Sequence, residues 1–82
     1  MTTAQRNAEY RQRVEFAATA IASGSKVTIS RQQLKGYKAK VEDLMDLLLE
    51  LVMEQGVQQA PGSSVYLSFL VRNDQYVISR TA

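Results

Sequence analysis

Eighty-two residues with 45% hydrophobic and 22% charged content predict one small, ordered domain. The chain contains no cysteine and no histidine, which excludes disulfides, thiolate metal sites, imidazole ligands and any Ser/His/Asp or Cys/His catalytic arrangement. The net charge is only +2, too little to diagnose a nucleic-acid binder, but its distribution is uneven.

The first predicted helix runs from about Thr3 to Ser23. Thr2 and Gln5 have capping-box spacing, and Gly24 is a C-terminal stop. Its apolar stripe is Tyr10, Val14, Ala17 and Ile21, which Phe16 and Ala20 widen. Glu9–Arg13 and Arg11–Glu15 are i,i+4 pairs, each worth roughly 0.2–0.5 kcal/mol on an exposed face. Its apolar cluster, Phe16 to Ala22, is short and Ala-rich, and reads as helix rather than as a targeting peptide. No apolar run is long enough to cross a membrane, and the expected location is cytoplasmic.

A short strand follows at Lys26 to Ile29, with Val27 and Ile29 on one face. Ser30 is the expected N-cap of a second helix, and Gln33 completes a second capping box. That helix is predicted from about Arg31 to Gln55. Leu34, Tyr37, Val41, Leu44, Leu48 and Leu51 form a heptad-like seam. Met45, Leu47, Leu49, Val52 and Met53 cover most of the remaining circumference, leaving Asp46, Glu50 and Glu54 as a narrow polar stripe. A helix apolar nearly all round should be buried nearly all round. The expectation is therefore self-association, as a homodimer or higher assembly, through Leu44, Met45, Leu48, Leu49, Val52 and Met53. The alternative is that the chain's own hairpin wraps this helix.

Residues 57–64 read as a loop around Pro61 and Gly62. A C-terminal hairpin turns at Asn73-Asp74, residue types that tolerate positive φ. In that register Val71 faces Tyr76, Leu70 faces Val77 and Phe69 faces Ile78. Val65, Leu67, Phe69, Val71, Tyr76 and Ile78 share the face that should meet the helices. Tyr66, Ser68, Leu70, Val77 and Ser79 form a half-apolar outer face, semi-exposed or an interface. Thr81 and Ala82 are a frayed end. The expected fold is α+β in the order α-β-α-β-β: two helices packed on a small two- or three-stranded sheet with a C-terminal hairpin.

Residues 1–40 carry eight Lys/Arg and two acids, whereas residues 41–54 carry five acids and no base. In a single second helix this puts Arg31, Lys35, Lys38 and Lys40 at the N-terminal end and the acids after them. The macrodipole favours the opposite, at roughly 0.3–1 kcal/mol per charge in a terminal turn. One functional reading is an anion site of free amides and cations, joining Arg6, Tyr10, Arg13, Lys26, Arg31, Lys35 and Lys38 as a partner- or anion-binding face. The plain reading is that these charges are solvated or pair with the acids of a second copy.

The usual chemical signatures are missing. There is no GxxxxGK[ST] and no GxGxxG. The carboxylate pairs Glu42/Asp46 and Glu50/Glu54 lie on one stripe of one helix, whereas acid–base or Mg²⁺ chemistry needs convergence from several elements. No enzymatic activity, cofactor or metal is expected. Ile29 to Tyr37, with Ser30, Arg31 and Gln32 at its start, has the look of a recognition helix, but the preceding strand stands where a helix-turn-helix wants a short turn.

The run Val27-Thr28-Ile29-Ser30-Arg31-Gln32-Gln33-Leu34, leading into a Leu-rich helix, resembles small accessory proteins encoded by bacteriophages and prophages. That resemblance implies a short, non-catalytic inhibitor or regulator of a host factor, of the anti-CRISPR type, and assigns no residue a role. The reading is a non-enzymatic protein-interaction module that binds itself and an unidentified protein. The alternative is a small nucleic-acid-binding regulator using the basic helix face.

Overall fold

A computed structural model of the chain describes residues 2–55 and 66–81. The elements in order are α1 (Thr3–Ala22), β1 (Val27–Ser30), α2 (Arg31–Gly36), α3 (Val41–Glu54), β2 (Tyr66–Arg72) and β3 (Gln75–Thr81). The fold is α+β with a three-stranded antiparallel sheet in the order β1-β3-β2. The expected stop at Gly56, the loop at 57–64, Val65 and Ala82 lie outside the described residues. Thr81 pairs with Tyr66 as the last residue of β3 rather than fraying.

Both capping boxes form. Thr2 Oγ1 accepts from Gln5 N at 3.2 Å, and Ser30 Oγ accepts from Gln33 N at 3.0 Å. Each satisfies an amide that the first helical turn leaves without a partner, worth about 1 kcal/mol. α1 ends in a Schellman motif: Gly24 N donates to Ile21 O and Ser25 N to Ala20 O, both at 2.9 Å. Gly24 takes the left-handed conformation that this ending requires, with φ of 93°.

The expected helix from Arg31 to Gln55 is two helices. α2 ends in the same motif as α1. Lys38 N donates to Lys35 O at 2.9 Å, and Ala39 N donates to Leu34 O at 3.2 Å. Lys38 stands where glycine is usual, with φ of 54°. The break removes part of the electrostatic anomaly. Glu42 and Asp43 now lie in the first turn of α3, and Lys35 in the last turn of α2, as the dipole favours. Arg31 in the first turn of α2, Lys40 at the N-cap of α3, and Glu50 and Glu54 towards the end of α3 still sit on the unfavourable side.

The hairpin has the expected register, with Val71 opposite Tyr76, Leu70 opposite Val77 and Phe69 opposite Ile78. Asn73 and Asp74 have φ of 49° and 59°, as a two-residue turn with positive φ at both positions requires. β1 pairs with β3 from Val27↔Ile78 to Ser30↔Gln75, so β3 is the central strand.

One core joins α1, α2, α3 and the sheet. Val14, Ala17, Ala18, Ile21, Ile29, Leu34, Leu44, Leu48, Leu51, Val52, Tyr76 and Ile78 are buried in it. Tyr10 meets Tyr37 at 5.4 Å near the start of α3, and Gln55 Nε2 donates to Thr19 Oγ1 at 3.0 Å beyond its end. α1 and α3 thus run side by side in the same sense. The small side chains of Ala17 and Ala18, fully buried, let them approach closely. Phe16 does not widen the α1 stripe: it is 76% exposed. At about 100° per residue it lies nearly opposite Val14, Ala18 and Ile21. Val71 shares the core-side face of the hairpin but is exposed: it lies on the edge strand, while its partner Tyr76 on the central strand is buried.

Candidate functional site

An open cleft of about 780 Å³ lies where α2 meets the hairpin turn. It is lined by Ser30, Arg31, Gln32, Leu34 and Lys35 from β1 and α2, Ala39 and Val41 from the bend into α3, and Asn73, Asp74, Gln75 and Tyr76 from the hairpin. Three local features build it. The capping box at Ser30 starts α2 directly off the sheet. The left-handed Lys38 turns the chain back, which brings Ala39 and Val41 beside Leu34. The β1–β3 pairing sets Gln75 against Ser30, which carries the turn over α2. Leu34 and Tyr76 are buried and Ala39 and Val41 half-buried, so the floor is apolar, while Arg31, Gln32, Lys35, Asn73, Asp74 and Gln75 form an exposed polar rim.

Arg31 ties the two walls together. Its backbone N donates to Asp74 O at 2.9 Å. Its guanidinium donates through Nε to the Tyr76 hydroxyl at 3.4 Å and through an Nη to Asp74 Oδ1 at 3.3 Å. The Tyr76 hydroxyl first and Asp74 second raise the guanidinium above its ordinary pKa; it is a cation at any ordinary pH, held at the turn by these bonds. Lys35 has no ion-pair partner among the described residues. Two of the amides at the start of α2 are already taken. Arg31 N is taken by Asp74, and Gln33 N by Ser30 Oγ.

The seven residues expected to form one binding face do not assemble as one. Only Arg31 and Lys35 line the cleft. Lys26 is exposed ahead of β1, and Lys38 forms the bend. Arg13 is half-buried and donates to Thr28 O at 3.4 Å; it makes this contact rather than an ion pair with Glu9. Arg6 Nε and the Tyr10 hydroxyl are buried without a hydrogen-bond partner among the described residues. Burial, and secondarily Asp43, raises the Tyr10 pKa above its ordinary value. Tyr10 packs on Tyr37 and against the common core.

The expected self-association stripe is also divided. Leu44, Leu48 and Val52 are fully enclosed by the chain's own core and cannot face a partner. Leu49 is half-buried, and Met45 and Met53 are exposed. α1 packs along α3 and the chain's own core encloses Leu44, Leu48 and Val52, while Met45 and Met53 stay uncovered, so the cover is less complete than the all-round apolar pattern suggests.

Sequence reasoning missed Ala39, Val41, Asn73, Asp74, Gln75 and Tyr76 as site residues. The signal was present in two pieces: the Asn73-Asp74 turn, and a strand at Val27–Ile29 able to pair with the hairpin. Among the described residues no helix is long and apolar enough to cross a membrane, and no group of three or more Asp or Glu is placed to hold a metal ion. Comparison with protein-family models, with curated proteins and with solved structures finds no match to this chain.

Proposed function

We propose that this chain is a non-enzymatic protein-interaction module whose α2–hairpin cleft grips a short segment of a partner protein. The observation that carries the reading is the cleft itself: an apolar floor of Leu34, Ala39, Val41 and Tyr76 under a rim holding two cations. One is the fixed Arg31, and the other is Lys35, without an ion-pair partner among the described residues. An apolar side chain in the floor and a carboxylate against Lys35 would fit it, Arg31 being already paired with Asp74. Binding sites of this kind combine an apolar pocket with a few polar groups that set orientation. An inhibitor or regulator of a host factor is the role most in keeping with a small module of this sort.

Affinity capture from host lysate tests this, with and without nuclease, using wild type, Lys35→Glu and Ala39→Arg. A protein that survives nuclease and is lost from both variants supports the cleft. A protein held equally by all three chains contradicts it. A second reading rests on Arg31, Lys35, Lys38 and Lys40 clustering around α2, of which only Arg31 has an ion-pair partner among the described residues. Loss of every captured species on nuclease treatment, with binding that weakens linearly in log salt, would put nucleic acid first.

A further inference from the structure

We propose that the chain forms a two-fold dimer by antiparallel pairing of the β2 edge with its own copy, centred on Phe69. This surface is separate from the cleft. The two outer strands of the sheet differ in what they leave open. The bond from Arg31 N to Asp74 O continues the β1–β3 ladder, so the bonded pairs there are Val27–Ile78 and Ile29–Tyr76. Tyr76 and Ile78 therefore direct their amides to β1, and Gln75, Val77 and Ser79 direct theirs to β2. By the same alternation, Leu67, Phe69 and Val71 turn their backbone N–H and C=O groups away from the sheet.

On β1 Thr28 and Ser30 point outward; the Thr28 carbonyl already accepts from Arg13, and Ser30 N already donates to Gln33 Oε1. That edge is short and capped. On β2 three consecutive outward residues have no backbone partner among the described residues. Beside them, Leu70 and Val71 are 51% and 57% exposed. An open edge with exposed apolar residues is a template for another strand.

The edge is complementary to itself. With Phe69 opposite Phe69 of the second copy, Leu67 faces Val71 in both directions. All three outward residues then meet outward residues, and the exposed Val71 is covered. Leu70 on the other face meets Ser68. The strand contains one charge, Arg72, and no acid. The two-fold axis sets each Arg72 about six residue positions from the register position of its copy, roughly 20 Å at 3.4 Å per residue. No like charges oppose one another.

Sedimentation equilibrium across micromolar to millimolar protein tests the pairing. The expected mass rises from 9.2 kDa towards twice that value, and Val71→Lys or Leu70→Lys holds it at the monomer while circular dichroism stays unchanged. The absence of native cysteine allows a test that needs no destabilising change. Ser68→Cys and Leu70→Cys chains should oxidise to a covalent dimer when mixed, and neither should do so alone. Wild type that stays monomeric at millimolar concentration overturns the proposal. So does a dimer that survives both lysine variants, or one abolished by Met45→Asp or Met53→Asp but not by them.

Discussion

α1 and α2 end in the same hydrogen-bonded motif, one on Gly24 and the other on Lys38. The glycine end announces itself in the sequence. The lysine end does not, because a non-glycine residue in the left-handed region is uncommon and costs roughly 1–2 kcal/mol. A helix can therefore stop without glycine at the left-handed position, although Gly36, a weak helix former, is the last residue of α2. Leu34 and Ala39 line one cleft, and Leu44, Leu48 and Val52 enter the core, only if the chain bends between them. That packing offsets the strain at Lys38. The bend also makes the cleft, so the locally unfavourable residue underlies the proposed binding site.

The largest effect is expected at Leu48. If residues 31–54 were one helix with Leu48 at a partner interface, Leu48→Asp would leave a folded monomer. With Leu48 fully buried, the variant should instead lose its cooperative urea transition, because an unpaired buried charge costs several kcal/mol against a small domain's modest stability. Gly24→Ala comes next. A Cβ at Gly24 meets nothing within 4 Å, so the loss of about 1–2 kcal/mol in urea unfolding should come from backbone conformation alone.

Tyr10 packs on Tyr37 at the bend, with its hydroxyl buried and without a partner among the described residues. Tyr10→Phe should stabilise by roughly 1 kcal/mol, since it removes a polar group with no compensating bond. Its pKa is raised in the fold, so folding favours the protonated form. That contribution is fully present below the ordinary tyrosine pKa near 10. It is lost as pH rises through the higher folded value. The urea midpoint of wild type should therefore fall more steeply above pH 10 than that of Tyr10→Phe. Lys38→Gly should stabilise by about 0.5–1 kcal/mol, opposite in sign to Gly24→Ala, because relief of the left-handed strain exceeds the added chain entropy. The smallest effect is at Arg11, whose pair with Glu15 at 3.0 Å is solvent-exposed in the middle of α1. Arg11→Gln should leave the midpoint unchanged within error.

Where an element depended on one residue type in one place, it was legible in the sequence. Thr2/Gln5, Ser30/Gln33, Gly24 and Asn73-Asp74 each named a cap or turn, and the hairpin register came from the last. The break at Lys38 was hidden because the apolar seam from Leu34 to Leu51 runs through it without a change of spacing. The charges did record it. Bases before residue 41 and acids after it oppose the dipole of one helix, whereas with a break Lys35 and Lys38 suit the end of α2 and Glu42 and Asp43 the start of α3. The cleft was half legible: Arg31 and Lys35 stood out, but their neighbours arrive through the β1–β3 pairing, which only the assembled sheet defines. Leu44, Leu48 and Val52 were rightly read as needing cover, and the cover is the chain's own core.

Backbone chemical shifts across residues 34–44 test the break, and with it the cleft, most directly. Two helical stretches separated by a left-handed Lys38, with the amides of Lys38 and Ala39 protected from exchange by their bonds to Lys35 and Leu34, are the result predicted. Uninterrupted helical shifts from Arg31 to Glu54 would contradict it and leave the cleft without its far wall.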